Sequence, residues 1–225
     1  MKTQYALLVV MLMLVAMAGA WATPSTLIWI PSTDIQANNT WHLGIDNYVA
    51  GNHTTAQAPV YDIGPEYGFA DGKAEAGIDY ITGFTQPLFF NLKYQFTPEK
   101  ASIPAIAVGG EYFGTQGGVS DYDMLFVEGS KTFSGARLTL GYCHGNKTAL
   151  GVDPDMLLAG IDGTLTKDKK WWGAVDYQSG QNAFGALNTG VSYNFAANTS
   201  VIVGYDWYNN SATKNTFTTQ LDINF

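Results

Sequence analysis

Five acidic residues of this 225-residue chain recur at one kind of place. Asp46, Asp79, Glu111, Asp176 and Asp206 each stand towards the far end of a short stretch in which apolar and polar side chains alternate. Asp46 falls on one face with His42, Gly44 and Tyr48, opposite Trp41, Leu43, Ile45, Asn47 and Val49. Asp79 falls with Glu75 and Gly77, opposite Ala74, Ala76, Ile78 and Tyr80. Side chains two apart on a strand share a face. If such strands lie side by side, these carboxylates converge at one level. Converging carboxylates between low-dielectric walls concentrate cations and repel anions. This is the chemistry of attraction and passage, and no bond need be made or broken.

Basic residues are placed at the opposite level. Lys73, Arg137 and Lys170 begin stretches of this kind, and Lys93 lies in the corresponding half of its own. Glu66, Glu128, Asp162 and Asp222 add acid lower down, where pairing with those cations across strands is expected. The predicted lumen therefore has an acidic outer mouth and a mixed inner end.

Signs of catalysis are weak. His42, His53 and His144 lack zinc spacing, and there is no HExxH. Cys143 is the single cysteine, which excludes an intrachain disulfide. Its neighbour His144 would face the other way on a strand, so Cys143 reads as an inward packing residue. Asp121 with Asp123, and Asp153 with Asp155, lack the twelve-residue spacing of a calcium loop and read as polar connections. The chain is read as a non-enzyme without cofactor or bound metal. Nineteen acidic residues against eleven basic, a net charge of −8, argue against nucleic-acid binding.

The elements that carry these residues repeat in twos, the period of a strand. Twelve segments follow the pattern: 40–49, 59–69, 73–81, 88–96, 103–113, 121–133, 136–143, 155–164, 170–178, 184–195, 199–208 and 216–225. Valine, threonine and aromatic residues fill them, as strands prefer. The connections alternate in length. Those at 70–72, 97–102, 134–135, 165–169 and 196–198 are short or turn-like, whereas those at 50–58, 82–86, 114–120, 144–154 and 209–215 tend to be longer, with 179–183 the exception in length. Short turns on one side and long loops on the other characterise a transmembrane barrel. A closed barrel leaves no unpaired backbone in lipid, faces its apolar row outward and keeps its charges inside. Tyr67, Phe69, Tyr80, Tyr94, Phe96, Tyr112, Tyr193, Phe195, Tyr205 and Trp207 stand near strand ends and are expected to form outward aromatic girdles.

The ends of the chain add two signals. Residues 1–22 read as a cleaved signal peptide, with Lys2, an apolar run and the small-residue site Ala20-Trp21-Ala22. Residues 23–39 read as an N-terminal periplasmic leader, which could also enter the pore from the inner side, and 40–225 as the barrel. The last ten residues, TFTTQLDINF, alternate up to a terminal aromatic ring, with Phe217, Leu221, Ile223 and Phe225 on one face.

That ending resembles the C-terminal strand of bacterial outer-membrane β-barrel proteins. The resemblance implies a twelve-stranded antiparallel up-and-down barrel in the outer membrane, surrounded by lipid and lipopolysaccharide. It also implies passage through periplasmic chaperones to the barrel-insertion machinery, with the terminal row as the assembly signal. The function expected is a narrow channel for cations or small solutes. Two alternatives stay open: a closed structural or adhesive barrel without transport, and a secreted β-sandwich binding module.

Overall fold

The computed structural model describes residues 25–51 and 58–225, so the expected signal peptide lies outside the described residues. Twelve strands run β1 (Trp41–Ala50), β2 (Val60–Phe69), β3 (Ala74–Ile81), β4 (Leu88–Thr97), β5 (Ala105–Gly114) and β6 (Asp121–Phe133), then β7 (Ala136–His144), β8 (Asp155–Thr164), β9 (Trp171–Gln178), β10 (Ala186–Ala196), β11 (Thr199–Tyr208) and β12 (Thr216–Asn224). Each predicted segment becomes a strand, with bounds shifted by at most two residues. A single helical turn, α1 (Lys147–Leu150), interrupts the β7–β8 connection and is capped by the Asn146 side chain.

Every strand pairs antiparallel with its sequence neighbours, and β12 returns to β1 to close the ring. At the seam Phe225 N donates to Trp41 O over 2.9 Å, and Trp41 N donates to Phe225 O over 2.7 Å. The final strand thus ends where the first begins, and neither edge is left unpaired. A closed ring also excludes the β-sandwich. The short connections and both ends of the sheet share one rim. At the β6–β7 turn, Ser134 and Gly135 both take positive φ, 49° and 91°, as a two-residue hairpin requires.

The outer face is apolar throughout its middle. Ile45, Ile78, Leu92, Val127 and Val191 point outward, and Leu140 and Leu157 are 70% and 64% exposed. In water such a row would forfeit roughly 25 cal/mol for each Å² of apolar surface. Against hydrocarbon it forfeits nothing. Aromatic pairs border this band at both rims: Trp41 with Tyr67, Tyr94 with Phe96 and Trp171 with Tyr193 at the short-turn rim, Tyr205 with Trp207 and Phe217 at the other. Phe217, Leu221, Ile223 and Phe225 share the outward face of β12, where Phe217 is 56% and Phe225 43% exposed.

Tyr112 departs from the girdle. It has φ +56° at a bulge between Glu111 and Phe113, so its ring turns inward onto Phe89 and Phe184. One extra residue in β5 shifts the alternation by one place.

The segment read as a periplasmic leader is corrected over residues 25–36: it lies inside the barrel. Thr26 pairs with Pro31, Leu27 N donates to Ile30 O over 2.8 Å, and Ser32 N donates to Ser25 O over 2.9 Å, forming a small hairpin-like fold. Leu27, Ile28 and Ile30 are fully buried against Met124, Met156, Leu158 and Ile202. Strand glycines make the room. A Cβ on Gly160 would meet Leu27 Cδ1 at 2.5 Å, and one on Gly190 would meet Ile28 Cδ1 at 2.7 Å. The chain leaves the lumen across Gly68, whose added Cβ would fall 2.3 Å from Gln36 O. The interior is therefore not uniformly wet. On the β6–β11 side it is an apolar core, and Cys143 is buried within it.

Candidate functional site

Residues 25–36 divide the lumen. They press against β8, β9 and β10 and leave a cavity of about 120 Å³ against β1–β5 and the adjoining β12. This cavity is lined by Asp46 on β1, Asp62 and Glu66 on β2, Asp79 on β3 and Glu111 on β5. Strand register brings them together. Asp46 sits directly across from Asp62, and both alternate with outward residues such as Ile45 and Ile63. Gly44, Gly64, Gly77 and Gly110 share the wall, and His42, Glu75, Lys93 and Asp222 line its inner part. Space is the reason at Gly64, where an added Cβ would lie 2.1 Å from Asp79 Oδ1.

The carboxylates here are incompletely paired. Asn91 Nδ2 donates to Asp79 Oδ2 over 2.6 Å, and the Ser25 hydroxyl bonds Glu66. Asp62 Oδ1 is shut off from solvent with no hydrogen-bond partner. Such an atom costs free energy unless something enters to meet it. Glu128, on β6 between the two halves, is buried with neither oxygen hydrogen-bonded, in the field of Lys93 and Arg137.

Asp46, Asp79 and Glu111 thus converge on the cavity, while Asp176 and Asp206 do not line it. Asp176 instead holds the inserted segment. Its Oδ2 accepts from Ile28 N over 2.7 Å and Trp29 N over 3.0 Å, and its Oδ1 accepts from Asn188 Nδ2 over 2.7 Å. Asp206 is fully buried and accepts from Thr216 Oγ1 over 2.7 Å. Asp62, which completes the converging set, stands on β2, outside the row of acids that the odd-numbered strands carry. Its register opposite Asp46 follows from the β1–β2 hairpin.

The basic residues divide likewise. Lys93 is buried, pairs with Glu75 over 2.9 Å and donates to Ser25 O over 2.8 Å. Glu75 also accepts from Gln36 N over 2.6 Å. Arg137 spans Asp34 of the inserted segment, 2.6 Å, and Asp162 of β8, 2.9 Å. These two cations are ties for residues 25–36. Lys73 and Lys170 are a correction. Each precedes its strand, in the β2–β3 and β8–β9 turns, and is exposed rather than part of the lumen wall. His42, inward as expected, bonds Asn224 over 3.1 Å and lies 3.5 Å from Asp222. Among the described residues no group of three or more histidines, cysteines and acids is arranged to hold a metal.

Comparison with solved structures finds the same ring of strands. The chain superposes on the KdgM porin with a TM-score of 0.56 at 12% identity, over 83% of this chain and 99% of that one. The KdgM porin in complex with disordered oligogalacturonate gives 0.54, again at 12% identity and with the same coverage. The fold is that of a bacterial outer-membrane β-barrel. No family model and no curated protein matches the chain. The similarity therefore fixes the architecture, and the lining residues must be read on their own terms.

Proposed function

We propose that the protein is a narrow, cation-favouring channel for small solutes, seated in the outer membrane and exported with a cleaved signal peptide. The observation that carries this reading is the meeting of Asp46, Asp62, Glu66, Asp79 and Glu111 around one cavity beside the inserted segment. Field lines from those carboxylates are confined by the low-dielectric wall, so cations are enriched and anions turned away. A galacturonate chain, as bound in the KdgM porin complex, carries carboxylates of its own. The cations that could have met one here, Lys93 and Arg137, are engaged by Glu75, Asp34 and Asp162. The same barrel form thus serves the opposite charge of solute.

Lipid and lipopolysaccharide meet the apolar band and its aromatic borders. The row Phe217, Leu221, Ile223 and Phe225 acts as the signal to periplasmic chaperones and the insertion machinery.

Planar-bilayer recording tests the channel. In a salt gradient the reversal potential should have the sign of cation preference, and Asp46→Asn with Asp79→Asn should move it towards zero. Absence of current from correctly folded protein would instead support a closed structural barrel. That second reading draws on the buried Leu27, Ile28 and Ile30, which fill the β8–β10 side of the lumen.

A further inference from the structure

A second cavity, about 180 Å³, lies beside the acidic one at the long-loop rim. Six of its thirteen lining residues carry rings: Trp29, Tyr48, Phe84, Tyr112, Phe184 and Tyr208. Trp29 stands edge-on to Tyr48, with centroids 5.4 Å apart at 83°, and to Tyr208, 5.7 Å apart at 87°. Its indole Nε1–H donates to Phe184 O over 2.9 Å, which fixes the ring between the inserted segment and the β9–β10 loop. Ala183 and Lys214 line the rim and are exposed, so the cavity reaches the surface there.

Polar residues interrupt the rings: Thr213, Lys214 and Thr216 towards the rim, and Asp62. Asp62 lines both cavities, and its Oδ1 is buried without a partner. Asp46 sits across from Asp62 in the sheet, with Tyr48 two residues further on the same face. An uncharged apolar molecule would leave the Asp62 oxygen unmet. An anion would be repelled. A small metal ion would also be drawn to the ring faces, but that gain would not offset the strong hydration it would lose.

An organic cation uses both parts. The negative face of an aromatic ring attracts an ammonium group, and the attraction grows when water is excluded. Its alkyl groups fill the apolar space while the carboxylate balances its charge. We infer that this vestibule binds a small alkylammonium ion, held between Asp62 and the rings of Trp29, Tyr48 and Tyr208. The inference rests on the reading of the lumen as cation-favouring and names the class of cation its entrance selects. The space is below the roughly 300–1,000 Å³ of pockets for drug-sized ligands, so the ligand has few heavy atoms. Lys214 opposes the charge only weakly, because an exposed ammonium is screened by water and salt.

Calorimetry on the detergent-folded protein tests the site without any current. Choline is the probe, and 3,3-dimethylbutan-1-ol, which has the same shape without the charge, is the control. Choline should bind saturably and about tenfold or more tighter than the alcohol. Asp62→Asn, which keeps size and removes charge, should weaken choline by about tenfold and leave the alcohol unchanged. Tyr208→Leu should weaken choline as well, with heat-modifiable migration on a gel confirming that each variant is folded. Equal binding of choline and the alcohol, or unchanged choline affinity in Asp62→Asn, overturns the site. A cation-selective current with no choline binding removes the site and leaves the channel. Choline binding with no current supports the site and removes the channel.

Discussion

The β1–β5 wall and the β8–β12 wall carry the same kind of residue inside the barrel and use it in opposite ways. On β9, β11 and β12, Asp176, Asp206 and Asp222 each accept hydrogen bonds from protein groups: Asn188 and two backbone amides, Thr216, and Ser200. On β1 and β2, Asp46 and Asp62 face a cavity that Asp222 also borders at the seam; one oxygen of Asp62 is buried without a hydrogen-bond partner, as is one of Asp206, but Asp62 lines open space and Asp206 does not. What differs is the material opposite. Residues 25–36 bring amides, carbonyls and apolar side chains to β8–β10, and they leave space against β1–β5. A buried carboxylate is tolerable when hydrogen-bonded, so the first wall is structural. The second keeps its charge for whatever enters. Residue type alone did not separate the two, and the partner did.

Removing that partner should erase the difference. Deleting residues 25–36 leaves Asp176 facing an open lumen like the one beside Asp46, and it frees Gln220, Arg137 and Lys93 from their ties to Ile28, Asp34 and Ser25. Single-channel conductance in a planar bilayer should rise several-fold, because the perimeter of a twelve-stranded ring is then limited by its own side chains. The cation preference should also fall, since Arg137 loses the Asp34 carboxylate and joins Lys93 on the lumen wall. Conductance equal to that of the full chain would show that the inserted segment does not set the passage.

A smaller change loosens the segment without removing it. Asp176→Leu leaves the amides of Ile28 and Trp29 buried with no acceptor. Such a loss costs about 1–3 kcal/mol, read as a lower denaturant midpoint of the detergent-folded protein. Asp176→Asn keeps an acceptor oxygen and should cost less. Protease cleavage within 25–36 should become faster in the leucine variant only. Equal cleavage rates in all three proteins would mean that the segment is held chiefly by Leu27, Ile28 and Ile30.

The two walls were unequally legible in the sequence. Twofold alternation and the rhythm of connection lengths gave the twelve strands and the facing of Asp46, Asp79 and Glu111, because each strand obeys a local rule. Tyr112 was misplaced because a bulge shifts the alternation and leaves no composition signal. Residues 26–32, TLIWIPS, were harder still. They are apolar enough for a strand, yet their partners lie at Gly160, Asp176, Gly190 and Gln220, far along the chain. Inward glycines were visible as an excess, but the side chains that would fill the space above Gly160 and Gly190 were not. Lys73 and Lys170 depart from the expected lumen wall for a related reason. A residue one place outside a strand is no longer bound to the strand's alternation, and both turn to solvent.

The smallest expected effect concerns a carboxylate that is fully engaged yet lies outside the lumen. Glu99, in the β4–β5 turn, accepts from Thr132 N over 2.9 Å and Thr132 Oγ1 over 2.8 Å, and pairs with Lys131 over 3.1 Å. These donors, the Thr132 backbone amide foremost, hold its carboxyl down at about 2. A depressed folded-state value means that the contribution is present above the unfolded glutamate range, near 4.3, and is lost as pH falls through about 2. Because the group is exposed, Glu99→Gln should leave the denaturant midpoint and the conductance where they are. The side-chain carbonyl resonance of Glu99 should nevertheless titrate near 2 in micelles, and Thr132→Ala, which removes one donor and keeps the backbone amide, should raise that midpoint partway. A titration near 4 in the unaltered protein would mean that the clamp does not form. Engagement of a carboxylate would then depend on burial beside an inserted partner, as at Asp176, and not on the number of donors within reach.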